Sequence, residues 1–215
     1  MFKFSDIMLN DKIYLYAGGM PMNRRKTIPF IGVSDNIENE VHIRHDLTKE
    51  IPLLDNSVDI FQAEDVFEHI EEENMYLIYN EIYRILKPGG LFRLSMPDYR
   101  CDILKERSFK DSNNEIFFDP GGGGYYDYLN NKVEGGGHVW FPLYENVYKI
   151  FEKTNFNMEK VHFLHYYDTS NNSVMKTIDY SMGYISRTPD NDDRVKEPPR
   201  PCLLYTSDAA DEVDR

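Results

Sequence analysis

His138 stands in Gly135-Gly136-Gly137-His138-Val139-Trp140-Phe141, directly after a glycine run. An imidazole there is a candidate general base, since its ordinary pKa lets it take a proton near neutrality. Read more plainly, it is a loop histidine that caps or packs on Trp140. Asp98 and Tyr99 close the apolar run Leu91 to Met96 and are placed to touch a substrate. Asp35, Asp46 and the pair Glu64-Asp65 close other apolar runs, and Gly18-Gly19 closes KIYLYA. A glycine pair lets a ligand approach the backbone closely, although it can equally be a turn. His162 and His165 sit three apart in a strand-like run, so they face opposite sides and make a poor metal pair. With no His-rich helix and no Cys-x-x-Cys motif, no metal site is expected.

Short β-prone runs position these groups. Strands are expected at Lys12 to Ala17, Pro29 to Val33, Val41 to Ile43, Val58 to Ala63, Leu91 to Met96 and Met158 to Tyr166. Glu71-Glu72-Glu73 opens a helix whose apolar face is Met75, Ile78, Ile82 and Ile85. Lys87-Pro88-Gly89-Gly90 should stop it. A second helix is expected between Pro142 and Phe156, through Leu143, Val147 and Ile150. Strands alternating with helices predict an α/β fold with a mostly parallel sheet covered on both faces. Ligands of such sheets sit beyond the carboxyl ends of the strands, where the strand order reverses. Asp35 is then placed to accept both hydroxyl protons of a ribose, and Asp46 to accept from an adenine amino group. Either could also be a turn-forming aspartate.

Composition narrows the partners. The 215-residue chain carries 37 acidic against 24 basic residues, a net charge of −13, so a broad phosphate-binding surface and nucleic acid are not expected. No run approaches the roughly 20 apolar residues of a membrane helix, and the amino terminus does not read as a signal peptide. Two cysteines, Cys101 and Cys202, make no disulfide framework, which fits a reducing, cytoplasmic setting.

The string HDLTKEIPLLDNSVDIFQAEDVFEHI, followed by EIYRILKPGGLFRLSMPD, resembles the class I S-adenosylmethionine-dependent methyltransferases. It is most similar to a small group of predicted methyltransferases found among bacterial surface-polysaccharide genes. The resemblance runs from about Lys12 to Asp98 and, more loosely, through HVWFPLYENVYKIFEKTNF. It implies a Rossmann-like fold and methyl transfer from S-adenosyl-L-methionine to a small-molecule or saccharide acceptor. It places the cofactor's methionine part over Ala17, Gly18 and Gly19, its ribose at Asp35 and its adenine beside Asp46 and Leu47. The sulfonium region falls near Ala63 and Glu64, and His69 matches the family's Glu-His pair, expected to orient the loop after the fourth strand. Catalytic roles are expected for His138 as base and Asp98 at the acceptor.

The glycine motif departs from the family pattern, with Tyr16 and Met20 at flanking positions. The stretch from Met20 to Pro29 is short for a helix with loops, so the first crossover reads as abridged. A non-catalytic binding or regulatory protein with a degenerate methyltransferase fold stays open. A nicotinamide-dependent oxidoreductase is a weaker alternative, because G-x-G-x-x-G is absent. The methyltransferase domain is expected over 1–201, with 99–141 an inserted lid or substrate loop. CLLYTSDAADE, from Cys202, resembles a translated sequencing adapter. Residues 202–215 are therefore expected to be non-native, and the family's last antiparallel strand to be missing.

Overall fold

In the computed structural model, which describes residues 2–20, 28–178, 201 and the backbone of 203–209, the short apolar runs become one eight-stranded sheet. Five strands lead the chain: β1 (Tyr14–Ala17), β2 (Ile31–Ser34), β3 (His42–Arg44), β4 (Val58–Glu64) and β5 (Leu86–Pro97). They lie in the order β3-β2-β1-β4-β5 and pair in parallel throughout. The chain builds outward from β1 on one side, then returns to place β4 and β5 on the other. That reversal puts the switch point at the carboxyl ends of β1, β2 and β4.

Among the described residues there are three α-helices: α1 (Met75–Ile85), α2 (Asp102–Arg107) and α3 (Tyr144–Phe151). The spacing predicts α1, and Met75, Ile78, Tyr79, Ile82 and Ile85 are all buried on it. They pack with Val147, Ile150 and Phe151 of α3 against Leu15, Ala17, Phe61, Ala63, Phe92 and Leu94 on one face of the sheet. Each of the larger apolar side chains contributes about 1.5–3 kcal/mol as an upper estimate, and the two alanines less. On the opposite face Tyr16 and Ile60 pack with Met20, Phe30 and Val41, and Gln62, Glu64, Arg93 and Ser95 are buried.

Lys87-Pro88-Gly89-Gly90, expected as a stop between helix and strand, lies inside β5. Val58 pairs with Leu86 while Ile60 pairs with Leu91, so the four residues form an irregularity in the ladder. The segment 99–141 holds α2 and two antiparallel ribbons. These are β6 (Phe109–Lys110) with β7 (Ile116–Phe118), and β8 (Tyr125–Asp127) with β9 (Lys132–Glu134).

The sheet is completed by β10 (Val161–Tyr167), β11 (Ser173–Met175) and β12 (Leu203–Ala209), in the order β11-β10-β12-β5. β12 runs antiparallel to both neighbours, from Leu203 opposite Pro97 to Ala209 opposite Leu91. The expectation of a missing last strand is therefore corrected. A ladder needs only extended backbone with its N–H and C=O groups in register, which an adapter-like sequence can offer.

The expected abridged crossover falls on 21–27, outside the described residues, as do 179–200. Cys101 is disulfide-bonded, which the cysteine count did not anticipate. Among the described residues no helix is long and apolar enough to cross a membrane.

Candidate active site at the strand tips

Gly18 follows β1 with φ +79°, and its amide donates to the Val33 carbonyl of β2 at 2.7 Å. A Cβ at this position would lie 2.8 Å from Val66 Cγ2, in the loop after β4. One at Gly19 would meet Ile37 Cδ1 at 3.0 Å, just beyond β2. The glycine pair is thus where the tips of β1, β2 and β4 meet, and at Gly18 the backbone is one that only glycine adopts without strain. Asp65 also takes a left-handed conformation, φ 53°, which turns the loop after β4 toward Gly18.

Asp35 follows β2 with its side chain exposed, and its carbonyl accepts from Arg44 Nε at 2.8 Å. Asp46 Oδ1 accepts the Thr48 amide at 2.9 Å and the Thr48 hydroxyl at 2.7 Å. Those two bonds hold its carboxyl below the usual aspartate range. Leu47 is buried in the core, and Ala63 packs opposite Ala17. Glu64 is buried and accepts from Gln62 Nε2 at 2.5 Å. The chemistry of this set fits an adenosyl ligand: close backbone at a switch point, carboxylates at the next two strand tips, and an apolar side chain beside the second.

His42 was not singled out in the sequence. Its Nδ1 bonds Asn39 Oδ1 at 3.0 Å, and its Nε2 accepts the Met20 amide at 3.1 Å. The ring, lying flat against Gly32, ties β3 to the turn after β1.

A second cluster lies beyond β4 and β5. The turn Phe67–His69 is zipped to 137–140 by three bonds. His69 Nδ1 donates to the Gly137 carbonyl at 3.1 Å, the Val139 amide to the Glu68 carbonyl at 2.8 Å, and Trp140 Nε1 to the Phe67 carbonyl at 2.8 Å. His138 is held between them, 7% exposed. A Cβ at Gly122 would come 2.5 Å from the His138 ring, so the first glycine run permits close packing against this imidazole.

From His138 a buried polar chain runs outward. Its Nδ1 lies 2.5 Å from the Tyr99 hydroxyl, which is 2.6 Å from Asp119 Oδ2. Arg107 and the Gly121 amide also donate to Asp119, at 2.6 and 2.8 Å. Burial pushes the Asp119 carboxyl up, but the bonds from Arg107, Tyr99 and Gly121 outweigh it and hold it below the usual range. Burial, and then the Asp119 carboxylate, push the Tyr99 phenol far above its ordinary value. Tyr99 therefore keeps its proton and spends it on Asp119, so its oxygen accepts from His138 Nδ1–H. The unprotonated nitrogen of His138 is Nε2.

Asp119→Ala is expected to cost about 1–3 kcal/mol in urea unfolding, because the buried Tyr99 hydroxyl loses its acceptor, while the exposed Gly121 amide can turn to water. Arg107, whose side chain is 34% exposed, adds little. A loss under about 0.5 kcal/mol would show that the chain of bonds is not formed in solution.

Asp98 differs from its expected role. It is fully buried, with Oδ1 accepting the Arg100 amide at 2.9 Å and Oδ2 the Tyr167 amide at 2.7 Å. Oδ1 closes the turn after β5, and Oδ2 ties the end of β5 to the end of β10. Burial raises its carboxyl to about 6, against the two amide bonds that favour the charge. A raised pKa means the fold favours the protonated form, so this contribution is present at low pH and lost as pH rises through 6. The thermal midpoint of the wild type should therefore gain on that of Asp98→Asn between about pH 8 and about pH 5. A constant gap would contradict the assignment.

Of the expected site residues, Gly18, Gly19 and the loop after Glu64 meet directly, and Asp35 and Asp46 occupy the adjoining tips of β2 and β3. His138 belongs to the second cluster, with Glu68, His69, Tyr99 and Asp119. Of these partners Tyr99 alone carried a substrate role in the sequence, because the pairings span tens of residues with no local pattern.

Residues 31–94, from β2 into β5, match the family model of a methyltransferase domain. A probable S-adenosylmethionine-dependent methyltransferase from Mycolicibacterium smegmatis is 40% identical over 58 residues, 27% of this chain and 22% of that protein. The match thus spans about a fifth of the curated relative's length. A methyltransferase structure from Methanosarcina mazei is similar over 100% of this chain and 99% of its own, at 11% identity and a TM-score of 0.51. One from Archaeoglobus fulgidus is similar over 96% and 89%, at 13% identity and a TM-score of 0.50. The structures speak for the fold and the sequence matches for its central strands. With the strand order and the glycine turn at the switch point, they make this chain similar in fold to S-adenosylmethionine-dependent methyltransferases, with a methyltransferase-domain match across its central strands.

Proposed function

We propose that this chain transfers a methyl group from S-adenosyl-L-methionine to an oxygen or nitrogen of a small-molecule or saccharide acceptor, with His138 taking the acceptor's proton. The observation that carries this reading is the pairing of a glycine turn at the switch point with a histidine whose tautomer is fixed. When bound, the cofactor supplies an electrophilic sulfonium methyl group. The chain supplies position and proton handling.

Ala17, Gly18 and Gly19 form the floor for the methionine part. Asp35 holds the ribose hydroxyls, Asp46 and Leu47 flank the base, and Ala63 and Glu64 border the sulfur. On the acceptor side the X–H bond gives its proton to His138 Nε2 as the X–CH3 bond forms. Glu68 Oε1, 3.6 Å from that nitrogen, stabilises the imidazolium that results. Tyr99 and Asp119 hold the ring in the required tautomer as positioning residues, and Asp98 positions the end of β5.

Tyr125 and Tyr128 on the second ribbon are exposed and suit stacking on sugar faces, which supports a saccharide acceptor and a place in polysaccharide biosynthesis. The acidic charge supports neither nucleic acid nor anionic lipid as partner. The test follows labelled methyl from the cofactor into a panel of monosaccharides, nucleotide sugars and polyols. Label in a sugar class supports the reading. Label in none of them, from protein that binds the cofactor, removes the saccharide acceptor.

A further inference from the structure

Beyond methyl transfer, we infer that Glu68, His69 and His138 form a binding site for one divalent transition-metal ion. Each of the three offers one ligand atom, and these atoms lie within 4.8 Å of one another. Both imidazoles point the same kind of atom at the carboxylate. His69 Nδ1 faces the Gly137 carbonyl, which can only accept, so Nδ1 carries the proton and Nε2 the lone pair. In His138, Nδ1–H is given to Tyr99, whose own proton goes to Asp119, and Nε2 is again the lone-pair nitrogen. Fixing one ring nitrogen by a bond to oxygen so that the other faces a common point is how protein scaffolds orient imidazole ligands.

Spacing separates a metal site from hydrogen bonding. Glu68 Oε1 is 3.6 Å from His138 Nε2 and 3.9 Å from His69 Nε2. Both separations exceed a hydrogen bond. Ligand bonds of about 2.0–2.2 Å in tetrahedral geometry set neighbouring ligand atoms about 3.3–3.6 Å apart. One distance already meets that range, and a swing of the His69 side chain, 33% exposed, draws its nitrogen inward from within 4.8 Å of the other two ligand atoms. Glu68 is fully buried, so its charge lies in a low-dielectric setting that rewards a cation. Two imidazoles and one carboxylate suit zinc, iron(II) or cobalt(II) and leave coordination positions open. Since His138 Nε2 then serves as a ligand, it cannot take a proton while the metal is bound. Metal loading and base catalysis exclude each other at this nitrogen.

The test loads the full chain with zinc or cobalt(II), dialyses it without cofactor, and measures metal per chain by mass spectrometry and the cobalt visible spectrum. About one ion per chain is expected, with affinity at least tenfold lower in His69→Ala. Exposed His162 provides the control, and His162→Ala should bind as the wild type does. His69→Ala removes only a partly exposed side chain, and its far-UV circular dichroism checks that it folds. Equal loading of His69→Ala and wild type, or no loading of the wild type, overturns the inference. Neither result bears on cofactor binding, which is titrated separately.

Discussion

Gly18→Ala is expected to weaken S-adenosylmethionine binding by about ten- to a hundredfold, read by calorimetry on folded protein. A residue with Cβ held at φ +79° carries a strain of roughly 1–2 kcal/mol. The added carbon would also stand 2.8 Å from Val66 Cγ2, so the loop after β4 must retreat from the switch point. The two contributions separate in a double variant. Adding Val66→Ala removes the contact but leaves the backbone strain, so affinity should recover only in part. An unchanged affinity in folded Gly18→Ala would show that this turn is not the floor of the cofactor site.

His138→Ala carries the largest expected loss in turnover. Removing a positioned base lowers methyl transfer by about 10²–10⁴-fold, measured with chelator-treated protein and an acceptor found in the panel. His138 faces Tyr99, Glu68 and Gly122 rather than the glycine turn, so cofactor affinity should stay within about threefold of wild type. Tyr99→Phe keeps the ring but removes the oxygen that accepts from Nδ1. The imidazole can then take the other tautomer, and turnover should fall by about tenfold with little change in acceptor KM. Loss of cofactor affinity in His138→Ala would point to a structural role, and full turnover would remove the base assignment.

The strands were legible because burial on both faces writes a continuous apolar run, bounded by turn residues. Their order gave the switch point, and the strand-end residues Gly18, Asp35, Asp46 and Glu64 came with it. α1 was legible from Met75, Ile78, Ile82 and Ile85 alone. Lys87-Pro88-Gly89-Gly90 was located correctly but misread, since a turn and an irregularity inside a ladder use the same residues. The two ribbons after α2 were hidden by glycines and by aromatics that show no clean alternation. β12 was missed because residues from Cys202 resemble a translated adapter and read as non-native, while the pairing itself rests on backbone register. The chain Arg107–Asp119–Tyr99–His138 could not be read from sequence, since its links join distant residues through tertiary packing. The role of Asp98 turned on two amides, one of them from Tyr167, 69 residues away.

The central claim is that the turn at Gly18, set among the tips of β1, β2 and β4, still holds an adenosyl cofactor despite its irregular motif. Calorimetric titration of the full chain with S-adenosylmethionine, and with its demethylated product, tests this most directly. Saturable heat with one site per chain and micromolar affinity is the predicted result. No heat from folded protein at high micromolar concentrations of either ligand would contradict it.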